Sequence, residues 1–430
     1  MDYRIFPPES ILETTVDLPA SKSLAVRDIL LCFLSDRLSV AAPLATVCAD
    51  TRTIYDILAA GIPTDGSTVD VGPAGTAMRF LTALFAATEG ADVLITGTER
   101  MCQRPVGALV DALRELGADI TYKGEEGFPP LLIKGKRLTG GTVTINASVS
   151  SQFVSALMMV GPLMASPLTI LLQGNVMSLP YIEMTSQMML RYGIKNEVDR
   201  DKVVLSAGKY SGAYPQVEAD WSAAAFWYEI AALTAGWVTI EHLKENTLQG
   251  DRMVAPLFER LGVLTEFTEE GAELSATPDL YSTLEADLSD MPDTAPALAV
   301  TAALAGLRFR LTGVGALRDK ECDRLQALVE ELRKIGVVAD IENYGNTLVW
   351  EGGRVPVLTV PSFNVHGDHR MAMALAPAAV FYPGVKISNA EVVEKSYPGF
   401  WQALQKAGFV LIDTVKLKQI QEAKEKEGKE

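Results

Sequence analysis

The sequence lacks most of the features that assign a protein to a class at first sight. Four cysteines and three histidines occur in 430 residues, and none has the CxxC or cysteine–histidine spacing of a zinc site. No apolar run reaches the ~18 residues of a membrane helix, and the first residues lack the basic and apolar segments of a signal peptide. We therefore expect no metal and no membrane span, and we predict reduced cysteines in a cytoplasmic protein.

Basic residues are in the minority. The 38 Lys and Arg residues face 54 Asp and Glu residues, which gives a formal net charge of −16 and argues against binding to nucleic acid. The chain also lacks the glycine-rich motifs of P-loop and dinucleotide-binding enzymes. Because the overall field repels anions, an anionic substrate would need a local cluster of cations.

An internal repeat runs through the chain. Six Ala-rich, apolar stretches open on small polar clusters near Lys22, Gly75, Ser151, Ser222, Thr294 and His369, and each is followed 39 to 42 residues later by a glycine. These glycines, which are typical of helix ends, are Gly61, Gly117, Gly193, Gly262, Gly336 and Gly408. A helix that is apolar on all faces is buried, and β-rich segments lie between the helices. Three units on each side of a turn-prone break at Ser211–Asp220 predict two similar α/β domains that meet at a cleft.

Long cations stand at the starts of the buried helices, among them Lys22, Arg27, Arg79 and Arg370. The helix dipole disfavours cations there, whereas the free N–H groups attract anions. A polar residue at such a position is by itself an ordinary N-cap, but the cations indicate an anion that neutralises them. The pattern therefore predicts a cleft enzyme for a small, multiply anionic substrate.

Two further basic segments are less specific. The spacing of Lys320, Glu321 and Arg324 is by itself typical of a surface helix with salt bridges. Lys395 by itself resembles a solvated loop lysine.

Ten motifs from Pro19 to Pro398 occur in the order of a known family: PASKSLAVR, AGTAMR, RMCQRPVG, SVSSQF, SLPYI, QGD, MPD, DKECDR, GDHRMAM and EKSYP. They resemble the motifs of the EPSP synthases, a family of enolpyruvyl transferases. The resemblance implies two inverse α/β-barrel-like domains, each of three repeated βαβαββ-type units with buried helices, around an interdomain cleft. It places residues 21–218 in a first domain on the shikimate 3-phosphate side, and residues 1–20 plus 219–415 in a second domain on the phosphoenolpyruvate side. Residues 416–430 are expected to form a charged tail.

The resemblance also implies an activity. The enolpyruvyl group of phosphoenolpyruvate would pass to the 5-hydroxyl of shikimate 3-phosphate through a tetrahedral addition–elimination intermediate, with release of phosphate, on the route to chorismate and the aromatic amino acids. No metal or organic cofactor is needed for this reaction in the family. The expected partners are the two small-molecule substrates alone, without nucleic acid or membrane, and we expect a monomer.

Roles for individual residues follow from the same resemblance. Shikimate 3-phosphate would be bound by Lys22, Ser23, Arg27, Ser150, Ser151, Gln152, Ser178, Tyr181, Asp293 and Lys320. Phosphoenolpyruvate would be bound by Lys22, Gly75, Arg104, Gln152, Arg324, Arg370 and Lys395. Asp293 would take the hydroxyl proton and Glu321 would protonate the methylene carbon, with Lys22 and Lys320 completing the catalytic set.

The chain departs from the family pattern at five positions: Pro73, Phe80, Leu179, Ala316 and Cys322. Ala316 stands where the family often has an asparagine, so we leave it out of the site.

Two alternatives stay open. A UDP-N-acetylglucosamine enolpyruvyl transferase usually has a reactive cysteine five residues before an Arg-Pro pair, whereas Cys102 lies two residues before Arg104. A non-catalytic anion-binding scaffold is the other alternative, and retention of Asp293, Lys320 and Glu321 argues against it.

Overall fold

The structure is a computed structural model that describes residues 1–212, 215, 218–277 and 281–414. The helices are α1 (Lys22–Leu34), α2 (Ala49–Ala59), α3 (Gly75–Ala87), α4 (Glu99–Cys102), α5 (Gly107–Glu115), α6 (Ser151–Val160), α7 (Leu179–Arg191), α8 (Trp221–Thr234), α9 (Val254–Glu259), α10 (Ala295–Ala305), α11 (Arg324–Lys334), α12 (His369–Leu375) and α13 (Phe400–Lys406). Short 3-10 helices span Leu38–Thr46, Gly161–Leu163, Gly250–Met253, Pro292–Thr294, Gly315–Asp319, Asn343–Gly345, Ala376–Val380 and Ala390–Lys395. The predicted tail at 416–430 and part of the predicted break at 211–220 lie outside the described residues.

The strands are β1 (Tyr3–Phe6), β2 (Glu13–Asp17), β3 (Thr64–Asp70), β4 (Asp92–Thr96), β5 (Asp119–Tyr122), β6 (Leu131–Lys134), β7 (Gly141–Asn146), β8 (Leu168–Gln173), β9 (Asn196–Val198), β10 (Lys202–Leu205), β11 (Trp237–Glu241), β12 (Val263–Phe267), β13 (Gly271–Ala276), β14 (Thr283–Asp287), β15 (Arg308–Thr312), β16 (Asp340–Glu342), β17 (Thr347–Trp350), β18 (Ser362–Phe363), β19 (Val385–Ile387) and β20 (Val410–Asp413). They form open, four-stranded sheets in the orders β3-β4-β6-β5, β7-β8-β10-β9, β2-β11-β13-β12, β14-β15-β17-β16 and β18-β19-β1-β20.

Every one of these sheets has the same pairing. The first two strands are parallel, the second and third are antiparallel, and so are the third and fourth. The helix-ending glycines of the repeat, from Gly61 to Gly408, all have positive φ, as a left-handed helix end requires. The predicted α/β fold class is confirmed, although the described sheets form no closed barrel.

The first unit of the repeat differs from the others. Between α1 and α2, residues Leu38–Thr46 form a 3-10 helix, and no strand occurs among the described residues of this unit. The segment contains Pro43, which cannot donate a hydrogen bond to a sheet, and it lacks alternating polarity. The strand before α1, β2, pairs instead with β11 far along the chain.

The buried apolar side chains form two separate clusters. One extends from Leu24 to Tyr210 and surrounds α1, α3 and α6. The other takes Ile5, Leu12, Val16 and Leu18 from the start of the chain, together with residues from Ala219 to Phe409 around α8, α10 and α12. These helices are buried nearly all round, as their apolar composition predicts, since a helix without a polar face has no solvent side. In the described part of the chain, no helix is both long and apolar enough to cross a membrane. The domain bounds themselves stay a prediction.

A carboxylic acid lies in the second cluster, in the middle of α8. Glu229 is fully buried, and neither of its side-chain oxygens has a hydrogen-bond partner among the described residues. Burial raises the pKa of Glu229 well above its ordinary value. The folded chain therefore keeps this proton at pH values where the unfolded chain loses it, so stability falls as the pH rises above the unfolded pKa.

We expect Glu229→Met to stabilise the protein by about 1–3 kcal/mol at pH 8, because methionine fills similar space without an unpaired polar group. The gain should shrink as the pH falls towards 4, where both states hold the proton. Thermal unfolding at pH 5 and pH 8 measures the difference. Glu259→Met, at an exposed position of α9, is the matched control, and an equal gain at both pH values would contradict the explanation.

Candidate active site

The residues named by the sequence meet in one cleft, whose lining comes from two parts of the chain, residues 22–181 and residues 292–370. Those that line it are Lys22, Ser23, Arg27, Gly75, Arg104, Ser150, Ser151, Gln152, Ser178, Tyr181, Asp293, Lys320, Glu321, Arg324 and Arg370. Lys395 is not part of the lining, but its Nζ lies 3.6 Å from Oε1 of Glu321. Ala316, which we left out of the site, also lines the cleft. The individual roles stay predictions.

Helix starts bring these residues together. The first residues of α1, α3, α6 and α12, and the 3-10 turn before α10, all face the cleft. The start of α8 is not part of the lining. Its N-cap Asp220 accepts a hydrogen bond from the Ala223 backbone through Oδ1 and another from the Lys22 backbone through Oδ2. One carboxylate therefore caps α8 and fixes the start of α1.

Asp293 lies among three cations. Its Oδ1 is 3.0 Å from Nη1 of Arg324 and 3.1 Å from Nζ of Lys320. Its Oδ2 is 3.0 Å from Nη2 of Arg370. Burial by itself raises the pKa of Asp293, but the three cations outweigh burial and hold that pKa well below its ordinary value. Burial also lowers the pKa of Lys320, even beside Asp293.

Glu321 is a second carboxylate of the cleft, with its side chain 13% exposed. Its Oε2 accepts a hydrogen bond from Nη2 of Arg324 at 3.0 Å. Burial by itself raises the pKa of Glu321, but Lys395 and the neighbouring guanidinium groups outweigh it and hold the pKa well below its ordinary value. Glu321 is therefore ionised in this arrangement of charges.

Arg324 joins the two carboxylates, and the surface helix that its spacing suggested is wrong. The helix α11 begins only at Arg324, while Lys320 has extended backbone. The guanidinium of Arg324 is 1% exposed and donates to Asp293, Glu321 and Asp368. Its pKa is raised, because these carboxylates outweigh burial. The sequence pattern could not distinguish this buried arginine, which pairs with three carboxylates, from an arginine in a surface ion pair, since both have the same spacing.

Asp50 is a site residue that the sequence reasoning missed. It lies in the first turn of α2 and is buried. Its Oδ2 is 3.2 Å from Nζ of Lys22, and its Oδ1 is 3.1 Å from Nζ of Lys395. Asp50 outweighs burial and raises the pKa of Lys22. Two lysines from opposite ends of the chain therefore share one counter-ion, and no local pattern signals that pairing.

Arg27 is fixed by neutral groups rather than by an acid. Its Nε donates to Oγ1 of Thr185 at 2.7 Å, and its Nη2 donates to Oγ of Ser155 at 3.2 Å. The guanidinium lies 5.4 Å from the ring centre of Phe80, one of the departures from the family pattern. Burial lowers the pKa of Arg27 to about 10. Since no described residue forms an ion pair with it, Arg27 keeps a charge that a bound anion can neutralise.

Other cleft residues also escaped the sequence reasoning. His369 is buried, and neither ring nitrogen has a hydrogen-bond partner among the described residues. Burial lowers the pKa of His369 well below its ordinary value, so the imidazole is neutral. Thr76 accepts a hydrogen bond from the side chain of Gln152, and the Asp319 carbonyl accepts one from Arg104. The only sequence signal for His369 and Thr76 is that they adjoin Arg370 and Gly75 in the motifs quoted above.

His366 lies apart from His369, on the other side of the loop before α12. Its Nε2 is 3.0 Å from Oε1 of Glu331 and 3.9 Å from Oε2 of Glu330, a group whose atoms are close enough to hold a metal ion. However, Nζ of Lys334 already lies 2.7 Å from Oε2 of Glu331 and neutralises it. We interpret these ion pairs as contacts that hold the loop before α12 against α11.

Gly75 stands where α3 begins, close to two guanidinium groups. A Cβ atom at this position would lie 2.5 Å from Nη1 of Arg104 and 2.7 Å from Nη1 of Arg79. Both arginines are buried and hydrogen-bonded, so they have little room to move. The glycine therefore lets Arg104 lie against the start of the helix.

If Arg104 binds phosphoenolpyruvate, as the resemblance implies, we expect Gly75→Ala to raise KM for phosphoenolpyruvate about tenfold, because the new methyl group displaces Arg104, while KM for shikimate 3-phosphate stays nearly constant. Steady-state kinetics with each substrate varied in turn measure both values. Gly124→Ala is the control, since a Cβ there meets only an ordinary contact at 3.6 Å. A rise in both KM values alike would show general disruption instead.

The two sides of the cleft are in contact. Arg100 donates to the carbonyls of Arg318 and Lys320, and Arg104 donates to that of Asp319. Lysine and arginine side chains outnumber the carboxylates in the lining, in a chain of net charge −16. The fold and the cleft therefore define an α/β protein that binds a small, multiply anionic ligand between two halves.

The chain belongs to the EPSP synthase family, whose model, described as EPSP synthase (3-phosphoshikimate 1-carboxyvinyltransferase), matches residues 61–404. A 3-phosphoshikimate 1-carboxyvinyltransferase from Bacteroides fragilis (strain YCH46) is 43% identical over 411 residues, which cover 95% of this chain and 98% of that relative. One from Syntrophobacter fumaroxidans is 37% identical over 423 residues, covering 93% and 98%. The solved structure of EPSP synthase from Acinetobacter baumannii matches the fold with a TM-score of 0.69 at 22% identity, covering 96% of this chain and 100% of that one. The resemblance drawn from the motifs is confirmed.

Proposed function

We propose that the chain transfers the enolpyruvyl group of phosphoenolpyruvate to the 5-hydroxyl of shikimate 3-phosphate and releases inorganic phosphate. The observation that carries this proposal is the placement of Asp293 and Glu321 on two nitrogens of the Arg324 guanidinium, inside a cation-rich cleft. Membership of the family, and curated relatives with the corresponding name, support the same reaction. The product belongs to the shikimate pathway, which leads to chorismate and the aromatic amino acids.

The addition step requires one proton taken from oxygen and one given to carbon. In this proposal Asp293 accepts the 5-hydroxyl proton as the oxygen attacks C2 of phosphoenolpyruvate. Glu321 donates a proton to C3, which becomes a methyl group while C2 becomes tetrahedral. In the elimination Glu321 takes a proton back from the methyl group, the C2–C3 double bond re-forms, and the bond from C2 to the phosphate oxygen breaks, with the proton held by Asp293 passing to the departing phosphate.

Binding of the substrates rests on charge and on hydrogen-bond geometry. Planar guanidinium groups suit bidentate contacts to phosphate and carboxylate, whereas lysines act as point charges. We assign phosphoenolpyruvate to Lys22, Gly75, Arg104, Gln152, Arg324, Arg370 and Lys395. We assign shikimate 3-phosphate to Lys22, Ser23, Arg27, Ser150, Ser151, Gln152, Ser178, Tyr181, Asp293 and Lys320.

The ion pairs of Glu321 also suggest how it gains its proton. Cations such as Lys395 hold its pKa low, so a free enzyme at neutral pH has no proton to give at this position. A bound phosphate competes for the same cations and weakens their effect on Glu321. Burial, which raises the pKa, then dominates, and the carboxyl group takes up a proton as the substrates bind.

The deciding experiment measures phosphate release from phosphoenolpyruvate with shikimate 3-phosphate or with UDP-N-acetylglucosamine as acceptor. We expect release with shikimate 3-phosphate alone. Release with UDP-N-acetylglucosamine alone would identify the sister activity. Binding of both proposed substrates without any release would identify a non-catalytic anion-binding scaffold. A cytoplasmic location and a monomeric state stay predictions, and size-exclusion chromatography with light scattering tests the second.

A further inference from the structure

Next to Tyr181 lies a buried carboxylate, Asp251, that the proposed chemistry does not use. Asp251 belongs to the 3-10 helix Gly250–Met253 and is 2% exposed. Its Oδ1 accepts a hydrogen bond from the Tyr181 hydroxyl at 3.0 Å, and its Oδ2 accepts a short one from the Ser222 hydroxyl. Asp251 forms no ion pair with a lysine or arginine among the described residues.

This arrangement limits what the Tyr181 hydroxyl can do. Tyr181 lines the cleft, and a phenol has a single proton to donate. That proton is committed to Asp251, so only the lone pairs of the phenol oxygen remain for a ligand. Burial together with the neighbouring Asp251 raises the pKa of Tyr181, so the phenol keeps its proton. The hydroxyl therefore faces the cleft as a hydrogen-bond acceptor.

We propose that Asp251 is a positioning residue that orients the Tyr181 hydroxyl as an acceptor, so that the cleft selects a substrate hydroxyl able to donate to it. The inference rests on the proposed function, because the substrate hydroxyl is that of the shikimate ring. It assigns to Asp251 no contact with the substrate. The hydrogen bond joins α7 to the 3-10 helix of the other core cluster, so it also depends on contact between the two halves.

The groups around Asp251 predict that the hydrogen bond between Tyr181 and Asp251 reverses its direction at mildly acidic pH. Burial, with Asp293 and Asp220 nearby, raises the pKa of Asp251 to about 6, against the effects of Ser222 and Arg370. Below that pH the carboxyl group holds a proton and can donate to the phenol oxygen. The Tyr181 proton would then turn towards the cleft, where it conflicts with a donating substrate hydroxyl.

The test uses the full-length enzyme with Asp251→Ala, Asp251→Asn and Tyr181→Phe, alone and combined. We expect Asp251→Ala to raise KM for shikimate 3-phosphate about threefold to tenfold, with little change in kcat or in KM for phosphoenolpyruvate. Asp251→Asn keeps an acceptor oxygen and should restore KM at pH 8. Below pH 6 the wild-type KM for shikimate 3-phosphate should rise relative to the KM of Asp251→Asn. The ratio of the two KM values does not depend on titration of the substrates, because both proteins bind the same substrates.

A double-mutant cycle decides whether Asp251 acts through Tyr181. In the Tyr181→Phe background, Asp251→Ala should not raise KM for shikimate 3-phosphate any further. If it raises this KM as much as it does in the wild type, the proposal is wrong. An unchanged KM in Asp251→Ala, or equal pH profiles for wild type and Asp251→Asn, would overturn it as well. If Asp251→Ala fails to fold, the pH comparison of wild type with Asp251→Asn is the decisive measurement. Wild-type phosphate release with shikimate 3-phosphate is measured first, so failure of the reaction itself is seen separately.

Discussion

Replacement of Glu321 by glutamine is expected to lower kcat by about 10²-fold or more, with KM for both substrates much less affected. Glutamine has nearly the same shape and can still accept the hydrogen bond from Arg324, but it has no proton to give to carbon. The loss should therefore be confined to the chemical steps. Phosphate release under saturating substrates measures kcat, and titration of each substrate gives the KM values.

A second readout separates proton donation from positioning. If substrate binding raises the pKa of Glu321, the wild-type protein takes up a proton on binding at pH 8, where substrate phosphates are already ionised. Calorimetry in buffers of different ionisation enthalpy measures this uptake, and we expect it to vanish in Glu321→Gln. Near-normal turnover of the variant, or unchanged proton uptake, would remove Glu321 from the role of proton donor.

Arg324→Met should have the largest combined effect on stability and activity. It leaves Asp293, Glu321 and Asp368 without their shared guanidinium in a buried site. Removal of one partner from a buried ion pair costs about 3–5 kcal/mol. We also expect kcat/KM for phosphoenolpyruvate to fall by at least about 10²-fold if Arg324 binds this substrate, as proposed above. Thermal unfolding and steady-state kinetics measure the two effects.

The control for Arg324 is Arg333→Met, because Arg333 lies exposed on the same helix. The loss of stability in Arg324→Met should be greater at pH 8 than at pH 4.5. Without the guanidinium, Asp293 and Glu321 lose one of the cations that hold their pKa values low, so those pKa values rise above the wild-type ones and protonation relieves part of the loss as the pH falls. A stability loss that does not depend on pH would assign the effect of Arg324 to packing instead.

The helical frame of the fold could be predicted from the sequence because its signals are local. An Ala-rich stretch that is apolar on every face can only be buried, as α10 shows. Glycine at a helix end marks a left-handed residue, as at Gly336. The first unit differs from this prediction: residues 38–46 follow a buried helix but form a 3-10 helix that contains Pro43, and the strand before the buried helix, β2, pairs with β11 far along the chain.

The residues of the candidate site also fall into two groups, those that could be predicted from the sequence and those that only the structure shows. Lys22 and Arg370 could be predicted because cations at helix starts are unusual unless an anion neutralises them, and Asp293 could be predicted from the family motif that contains it. Asp50 has no such signal, because its partners Lys22 and Lys395 lie 28 and 345 residues away along the chain. Asp251 likewise meets Tyr181 across 70 residues.

The sequence by itself therefore determined the repeat, the buried helices, the family and most side chains of the cleft. Helix periodicity, glycine conformation and motif spacing all operate within a few residues. Only the tertiary structure decided which carboxylate neutralises which cation, that Arg324 is buried rather than on the surface, and that Asp251 lies next to Tyr181. Charge pairing and burial depend on distances in space between segments far apart in the chain, and the pKa of each site residue follows from those distances.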